Sequence, residues 1–271
     1  MRKACVIGYP VSHSLSPKLH RYWLKRYTMM GEYTAIEVSP ETLLEFTSSL
    51  ASKGFVGCNV TLPHKETIAK LMDELDAPAR AIGAVNMVTV TKEGGLKGAN
   101  TDAYGFIENI TSHYPLTNLG KAVVLGAGGA ARAVVWALKE AGFSEIAIVN
   151  RTPDKAEALK ALATHRITAH AWEAGPAVLE DAALLVNTTS LGLKGQPPLE
   201  LDFSMLPADA IVNDIVYTPL ETAFLACARR QGYRVVDGLG MLLWQAVPAF
   251  EAWFGKRPEV TAELREYMLA C

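Results

Sequence analysis

The stretch Val123-Val124-Leu125-Gly126-Ala127-Gly128-Gly129-Ala130-Ala131-Arg132 decides the fold. An apolar run ending at Leu125 reads as a buried strand, Gly126–Gly129 as a turn, and Ala130–Ala141 as an alanine-rich helix. The spacing is Gly-x-Gly-x-x-Ala, with Ala131 at the place of the third glycine, a variation the dinucleotide fingerprint permits. Glycine lets the backbone turn tightly and come close to a pyrophosphate. The first-turn N–H groups and the positive end of the following helix then hold the negative charge. Gly126, Ala127, Gly128, Gly129 and Ala130 are therefore candidate cofactor-binding residues. A glycine pattern alone is a weak signal. This one follows a clean strand, opens a clean helix and precedes a second strand at Glu145–Val149, which makes it specific.

The end of that second strand reads out the nucleotide. Dinucleotide sites that take NAD place a carboxylate there to bond the ribose 2′-hydroxyl. This chain has Asn150-Arg151-Thr152, with Lys155 one turn on. Two cations stand where an acid would, and an Arg guanidinium can clamp a 2′-phosphate with parallel N–H bonds. The pattern predicts NADP rather than NAD.

Outward from this unit the chain alternates strands and helices, the signature of a mainly parallel α/β fold. Strands are expected at Ala4–Gly8, Tyr33–Val38, Phe55–Leu62 and Met87–Thr91, then at Ala122–Leu125, Leu184–Asn187, Ala210–Ile215 and Arg234–Val236. Ser16-Pro17 reads as the cap and first residue of a helix whose apolar stripe is Leu19, Tyr22, Trp23 and Tyr27. A second helix starts at Ser39-Pro40, turns Leu43, Phe46 and Leu50 inward and ends at Gly54. A third runs from after Pro63 through Leu75. Thr218-Pro219 starts another, and the chain after Gly238 is expected to be helical to its end.

The 271 residues suit two domains. Half are apolar and a fifth charged, ordinary globular composition, and the net charge is −2 with the signs interspersed. The absence of a long basic run argues against nucleic acid. The N-terminus lacks the apolar stretch of a signal peptide, and no segment reaches the roughly 18 apolar residues of a membrane span, so a cytoplasmic protein is expected. Cys5, Cys58, Cys227 and Cys271 form no CxxC pair, and three of them sit in apolar or helical runs where a cysteine reads as a small core residue. His165 and His170 are five apart, off a common helix face, and no metal site is expected.

Polar residues also gather where strands end. Ser14 and Ser16 flank the first strand–helix turn, Asn59 and Thr61 share one face of a strand end, and Lys65 opens the next helix. Asn86 precedes a strand, and Asn100-Thr101-Asp102 leads into the nucleotide unit. Each alone has a bland reading as a cap, a turn residue or a surface charge. Together they are neutral hydrogen bonders and one cation at the C-terminal ends of strands, where open α/β sheets bind ligands. Gln245 is the polar member of an otherwise apolar stripe formed with Leu242, Ala246, Ala249 and Trp253. A buried Gln is costly without partners, so it should meet protein polar groups or a ligand.

Taken in order, these motifs resemble the shikimate dehydrogenase family. The carriers are Gly8-Tyr9-Pro10-Val11-Ser12-His13-Ser14-Leu15-Ser16-Pro17, Gly57-Cys58-Asn59-Val60-Thr61-Leu62-Pro63-His64-Lys65, Gly83-Ala84-Val85-Asn86 and Gly98-Ala99-Asn100-Thr101-Asp102. The glycine turn, Asn150-Arg151-Thr152, Asn187-Thr188-Thr189-Ser190-Leu191-Gly192, and Asp237-Gly238-Leu239-Gly240-Met241-Leu242 with Gln245 complete the set. Thr188 and Leu193 stand where the family usually has Ala and Met. The resemblance implies that Ser14, Ser16, Asn59, Thr61, Asn86 and Gln245 hold the ring hydroxyls and carboxylate of the substrate, with Tyr217 nearby, and that Lys65 and Asp102 are the catalytic pair and also touch substrate. It implies that the glycine turn, Asn150, Arg151, Thr152, Lys155, Thr188, Ile215, Gly238 and Met241 line NADP. It further implies a substrate-binding α/β domain of residues 1–102 with 238–271, an inserted Rossmann-type NADP-binding domain of residues 103–237, and an active site in the cleft.

The expected reaction is the reversible NADPH-linked reduction of 3-dehydroshikimate to shikimate, a step of aromatic amino-acid (chorismate) biosynthesis, by a monomer or homodimer. Reduction of a ring ketone develops negative charge on its oxygen, and Lys65 as an ammonium can stabilise that charge and deliver a proton. Three other readings compete. A quinate/shikimate dehydrogenase of broader specificity is disfavoured by Arg151 and Ser16. A folate-linked methylene dehydrogenase is disfavoured by Ser14, Ser16 and the Asn59–Lys65 motif. A binding protein that only senses NADP is disfavoured by the presence of both Lys65 and Asp102.

Overall fold

The computed structural model describes residues 1–162 and 167–270. His165 and Cys271, which figured in the readings above, lie outside them. Packing divides the chain into two compact units, Met1–Thr101 with Gln245–Cys271, and Asp102–Trp244.

The first unit begins with β1 (Arg2–Gly8), α1 (Ser16–Arg26), β2 (Gly31–Glu37), α2 (Leu43–Ser49) and β3 (Phe55–Val60). It continues with α3 (Lys65–Ala69), β4 (Glu74–Leu75), α4 (Ala77–Ile82), β5 (Met87–Val90) and β6 (Leu96–Ala99). The second unit holds α5 (Asp102–Thr111), β7 (Lys121–Leu125), α6 (Gly129–Ala141), β8 (Glu145–Asn150), α7 (Pro153–Leu159) and β9 (Ile167–Ala171). It goes on through α8 (Gly175–Val178), β10 (Ala182–Asn187), β11 (Ile211–Asp214), α9 (Ala223–Arg230) and β12 (Arg234–Val236). The boundary between the units falls inside α10 (Leu239–Phe254), and α11 (Ala262–Leu269) closes the first unit.

Among the described residues each unit has a six-stranded sheet. In the second unit the order is β12-β11-β10-β7-β8-β9 and every described pairing is parallel. The sheet is doubly wound about β7: the chain steps out through β8 and β9, then returns to β10 on the other side. That reversal of direction is where such sheets open a crevice at their C-terminal edge, and the glycine turn lies there. The strands are buried on both faces, which is why they read as continuous apolar runs. Val123, Leu125, Val149, Leu185 and Val212 form one core with Phe203 and Phe224.

The first unit is mixed. Its order is β2-β1-β3-β5-β6-β4, with β1 parallel to β2 and β3, but β5 antiparallel to both β3 and β6. The chain is mainly parallel, as expected, and β5 is the antiparallel exception; β4 pairs with β6 in parallel again. Glu93-Gly94-Gly95 lies in a tight turn that joins β5 to β6, and a tight turn can only reverse the chain. Cys5, Ile7, Cys58 and Val60 meet Leu43, Phe46, Leu50 and Ile68 in its core.

Several helix limits differ from the sequence reading. Ser16 is the first residue of α1 and not its cap; the capping position is Leu15, which has no side-chain oxygen to offer. Ser14 instead accepts the Ser16 backbone N–H at 3.3 Å. Ser39-Pro40 opens a single 3-10 turn before α2, and α2 ends at Ser49, with Gly54 closing a later turn at φ 77°. The helix expected through Leu75 stops at Ala69. Leu75 then enters the short strand β4, because the next helix has its own start: the Asp76 carboxylate accepts the Ala79 N–H at 2.7 Å, and Pro78 follows in the first turn. Thr218-Pro219 does not start α9; Thr222 does, its hydroxyl accepting from the Leu225 N–H. The C-terminal segment is two helices, interrupted at Gly255 where φ is 79°.

Candidate active site

In the first unit the polar residues singled out above lie at the C-terminal ends of β1 and β3 and beside them. Asn59 is the next-to-last residue of β3 and is 5% exposed. Its Oδ1 accepts from the Tyr33 hydroxyl at 2.6 Å, and its Nδ2 donates to the Asn86 carbonyl at 3.2 Å. Asn86 is also buried; its amide bonds Thr101, the last residue of the first unit. Ser16 is buried within reach of the Tyr33 hydroxyl. Thr61 follows β3, its backbone N–H bonded to the Ile7 carbonyl at 2.9 Å. Ser14 and Thr61 are half-buried. The structure therefore brings Ser14, Ser16, Asn59 and Asn86 into one connected network, with Thr61 two residues along from Asn59.

Lys65 is half-buried as the first residue of α3. Its place is set by neighbours. His64 sits at the cap position, buried, with Nε2 2.6 Å from the Val38 carbonyl, and the Lys65 carbonyl accepts the Val85 N–H at 2.9 Å. Gln245 is buried in α10, on the first-unit side of the boundary. Asp102 belongs to the second unit as the half-buried first residue of α5.

The nucleotide side lies in the second unit. Gly126 turns the chain at φ 102°, a left-handed region that a side chain would strain, and a Cβ there would meet the Thr188 hydroxyl at 2.9 Å. Thr188 Oγ1 donates to the Leu125 carbonyl at 2.7 Å and so braces the turn from the end of β10. At Gly128 and Gly129, by contrast, an added Cβ would meet nothing within 4 Å. Gly128 is the capping residue of α6 and offers no side chain to its N–H groups. The turn is thus open above an uncapped 13-residue helix, a surface that fits a pyrophosphate. Asn150 at the end of β8 donates to the Thr152 carbonyl at 2.7 Å, which curls the strand end. Arg151, Thr152 and Lys155 are exposed beyond it. Ile215 and Gly238 meet through the Ile215 carbonyl, while Tyr217 and Met241 are half-buried. Burial pushes the Tyr217 hydroxyl above its ordinary range.

Four buried neighbours of these positions were not singled out from sequence. Tyr33 bonds Asn59 and His20 stacks on Tyr33; one lies in a strand and the other in an amphipathic helix, and neither carries a motif. Asp214 and Thr222 form a second buried network: Asp214 accepts from Asn187 at 2.9 Å, from Thr222 at 2.7 Å and from the Val216 N–H at 3.0 Å. The available signal was an Asp at the end of an otherwise apolar strand, and that Asp is fully buried. Among the described residues no group of three or more His, Cys, Asp or Glu could hold a metal, and no helix is long and apolar enough to cross a membrane.

A glycine-turn nucleotide unit continuous with a second α/β unit whose strand ends carry polar residues defines an NAD(P)-linked oxidoreductase. Residues 6–88 match the shikimate dehydrogenase substrate binding domain, residues 111–192 the shikimate/quinate 5-dehydrogenase family, and residues 238–262 the shikimate 5′-dehydrogenase C-terminal domain. The chain belongs to the shikimate dehydrogenase family. It is 53% identical to the shikimate dehydrogenase (NADP(+)) of Methylobacterium radiotolerans, over 99% of this chain and 96% of that one. The structure of the Thermus thermophilus shikimate 5-dehydrogenase in complex with NADP(H) and shikimate is similar at a TM-score of 0.86 and 38% identity, covering 99% of this chain and 98% of that one. Quinate dehydrogenase from Corynebacterium glutamicum in complex with NAD gives a TM-score of 0.92 at 30% identity, covering 100% and 99%.

Proposed function

We propose that this chain catalyses the reversible NADPH-linked reduction of 3-dehydroshikimate to shikimate. The observation that carries the choice within the family is the end of β8: Arg151 and Lys155 are exposed there, and no carboxylate stands where a ribose 2′-hydroxyl would need one. The whole-length likeness to an NADP(+)-named relative supports the same cofactor.

NADPH supplies the hydride when bound. The glycine turn Gly126–Ala130 and the first turn of α6 hold its pyrophosphate, Asn150, Arg151, Thr152 and Lys155 its 2′-phosphate end, and Thr188, Ile215, Gly238 and Met241 its remaining surface. Ser14, Ser16, Asn59, Thr61, Asn86, Tyr217 and Gln245 orient the hydroxylated ring acid. Lys65 stabilises the charge that develops on the ketone oxygen and delivers its proton; in the oxidation direction it takes the proton back. Asp102 accepts a hydrogen bond from the same hydroxyl and orients Lys65. In this reading residues 1–102 with 238–271 form the substrate domain and residues 103–237 the NADP domain. The enzyme acts in the cytoplasm as a monomer or homodimer, in aromatic amino-acid biosynthesis.

The test is a spectrophotometric rate assay with shikimate and quinate as alternative substrates and NADP and NAD as alternative cofactors. The expected result is a kcat/KM highest for shikimate with NADP. Higher values for quinate with NAD would replace this reading with that of the NAD-bound quinate dehydrogenase.

A further inference from the structure

We infer that Tyr33 is a positioning residue, which fixes the amide of Asn59 so that it meets the substrate as a hydrogen-bond donor; this rests on the assignment of Asn59 to the substrate site. An Asn amide can present either its oxygen or its nitrogen to a ligand, and rotation by half a turn exchanges the two. Here both ends are fixed from within the protein. The Tyr33 hydroxyl donates to Oδ1 at 2.6 Å, and the Asn86 carbonyl takes one N–H of Nδ2 at 3.2 Å. Exchange would set the amide oxygen against the Asn86 carbonyl, two acceptors face to face. What Asn59 retains for a ligand is its second N–H, suited to a hydroxyl or carboxylate oxygen acting as acceptor.

Tyr33 is in turn held rigidly. It lies in β2, 1% exposed, and the His20 ring stacks on it at 4.0 Å with 2° between planes. His20 is fully buried, neither ring nitrogen makes a hydrogen bond of good geometry, and burial pulls its pKa down to about 3. The ring is therefore neutral at the pH of any enzyme assay and acts as a flat wall, placing no charge beside Asn59. Trp253 and Phe250 pack against the same ring. The ring is thus fixed, and its hydroxyl is held within hydrogen-bond reach of the Asn59 Oδ1. Ser16 stands beside the same hydroxyl, so one buried group touches two of the proposed substrate ligands.

The variant Tyr33→Phe keeps the ring and the stack and removes only the hydroxyl. The loss of one buried neutral hydrogen bond is expected to raise KM for shikimate about three- to tenfold. The value of kcat should change less than twofold and KM for NADP not at all. In an Asn59→Ala background the same substitution should raise KM clearly less, because only Ser16 is left for the hydroxyl to act on. An equal increase in both backgrounds, or an unchanged KM in Tyr33→Phe with folding confirmed, overturns the inference. Asn59→Asp provides an independent arm: it keeps an acceptor for Tyr33 and removes the donor, so KM for shikimate should rise at least tenfold, and an unchanged value would overturn the inference even if Tyr33→Phe failed to fold. Failure of the wild-type enzyme to oxidise shikimate with NADP would instead count against the function proposed above.

Discussion

Asn86 holds Thr101 with both ends of its amide: Nδ2 donates to the Thr101 hydroxyl at 3.0 Å and Oδ1 accepts the Thr101 backbone N–H at 2.8 Å. The β5–β6 hairpin lies between the two residues, and Asp102 follows directly. Asn86 thus fixes the last residue before Asp102 whatever it does for substrate. Asn86→Ala would leave a buried N–H and a buried hydroxyl without this partner, a cost of about 1–3 kcal/mol. The expected outcome is a lower Tm in the absence of any ligand, measured by calorimetry. An unchanged ligand-free Tm with weaker shikimate binding would make Asn86 a substrate ligand only.

A second buried network titrates. Burial pushes the Asp214 carboxyl up to about 6 from its ordinary value of 3.8, against smaller opposing pulls from the Thr222 hydroxyl, the Val216 N–H and the Asn187 amide. Between pH 4 and 6 the folded chain therefore keeps a proton that the unfolded chain has lost. Stability contributed by Asp214 is present below about pH 4 and is lost as pH rises through 6, by an amount on the order of 3 kcal/mol. Asp214→Asn removes this titration. Urea unfolding of both proteins from pH 4 to 7 should show the variant gaining on wild type by about that amount. A difference independent of pH would refute the assignment.

What was legible in the sequence was local. The glycine turn, the strand before it and the helix after it are adjacent in the chain, and each obeys its own period, so spacing alone placed Gly126 and Gly128 correctly. The strand end at Asn150 was legible for the same reason. The supports of the substrate side were not, because they are contacts between distant residues. Tyr33 and Asn59 meet only because β1 lies between β2 and β3 in the sheet, and no period in the sequence encodes that order. Caps failed where two candidates competed. Ser16 before Pro17 looked like a cap, yet Ser14 two residues earlier accepts the N–H. Thr218-Pro219 masked Thr222, whose following residues Ala223, Phe224 and Leu225 carried the better signal.

The cofactor assignment turns on Arg151. It is exposed, and no described salt bridge engages it, so its replacement should leave the fold intact. A charge-assisted contact with a 2′-phosphate contributes about 1.5–3 kcal/mol. Arg151→Ala is expected to raise KM for NADP by roughly 10- to 150-fold while leaving NAD use nearly unchanged. Steady-state rates with the two cofactors measure this directly. Equal losses with both would make Arg151 a structural residue of the β8 turn.

Lys65 separates chemistry from binding. If it handles the proton, Lys65→Ala should lower kcat by roughly 10²–10⁴-fold while substrate binding weakens far less. A lysine that only neutralised the substrate carboxylate would contribute equally to ground state and transition state, and its loss would raise KM and spare kcat. The position itself is held by the backbone: the Lys65 carbonyl accepts from Val85, and His64 before it is anchored to the Val38 carbonyl. Removal of the side chain should therefore leave α3 in place, and circular dichroism with an unchanged Tm would confirm it. Asp102→Asn is expected to show the same kcat loss. The double variant should be little worse than either single one, because groups that act on one proton are not additive. Stopped-flow measurement of NADPH oxidation in a single turnover isolates the chemical step from product release. A wild-type single-turnover rate in folded Lys65→Ala would remove Lys65 from the mechanism and leave Asp102, or a water it orients, as the group to test next.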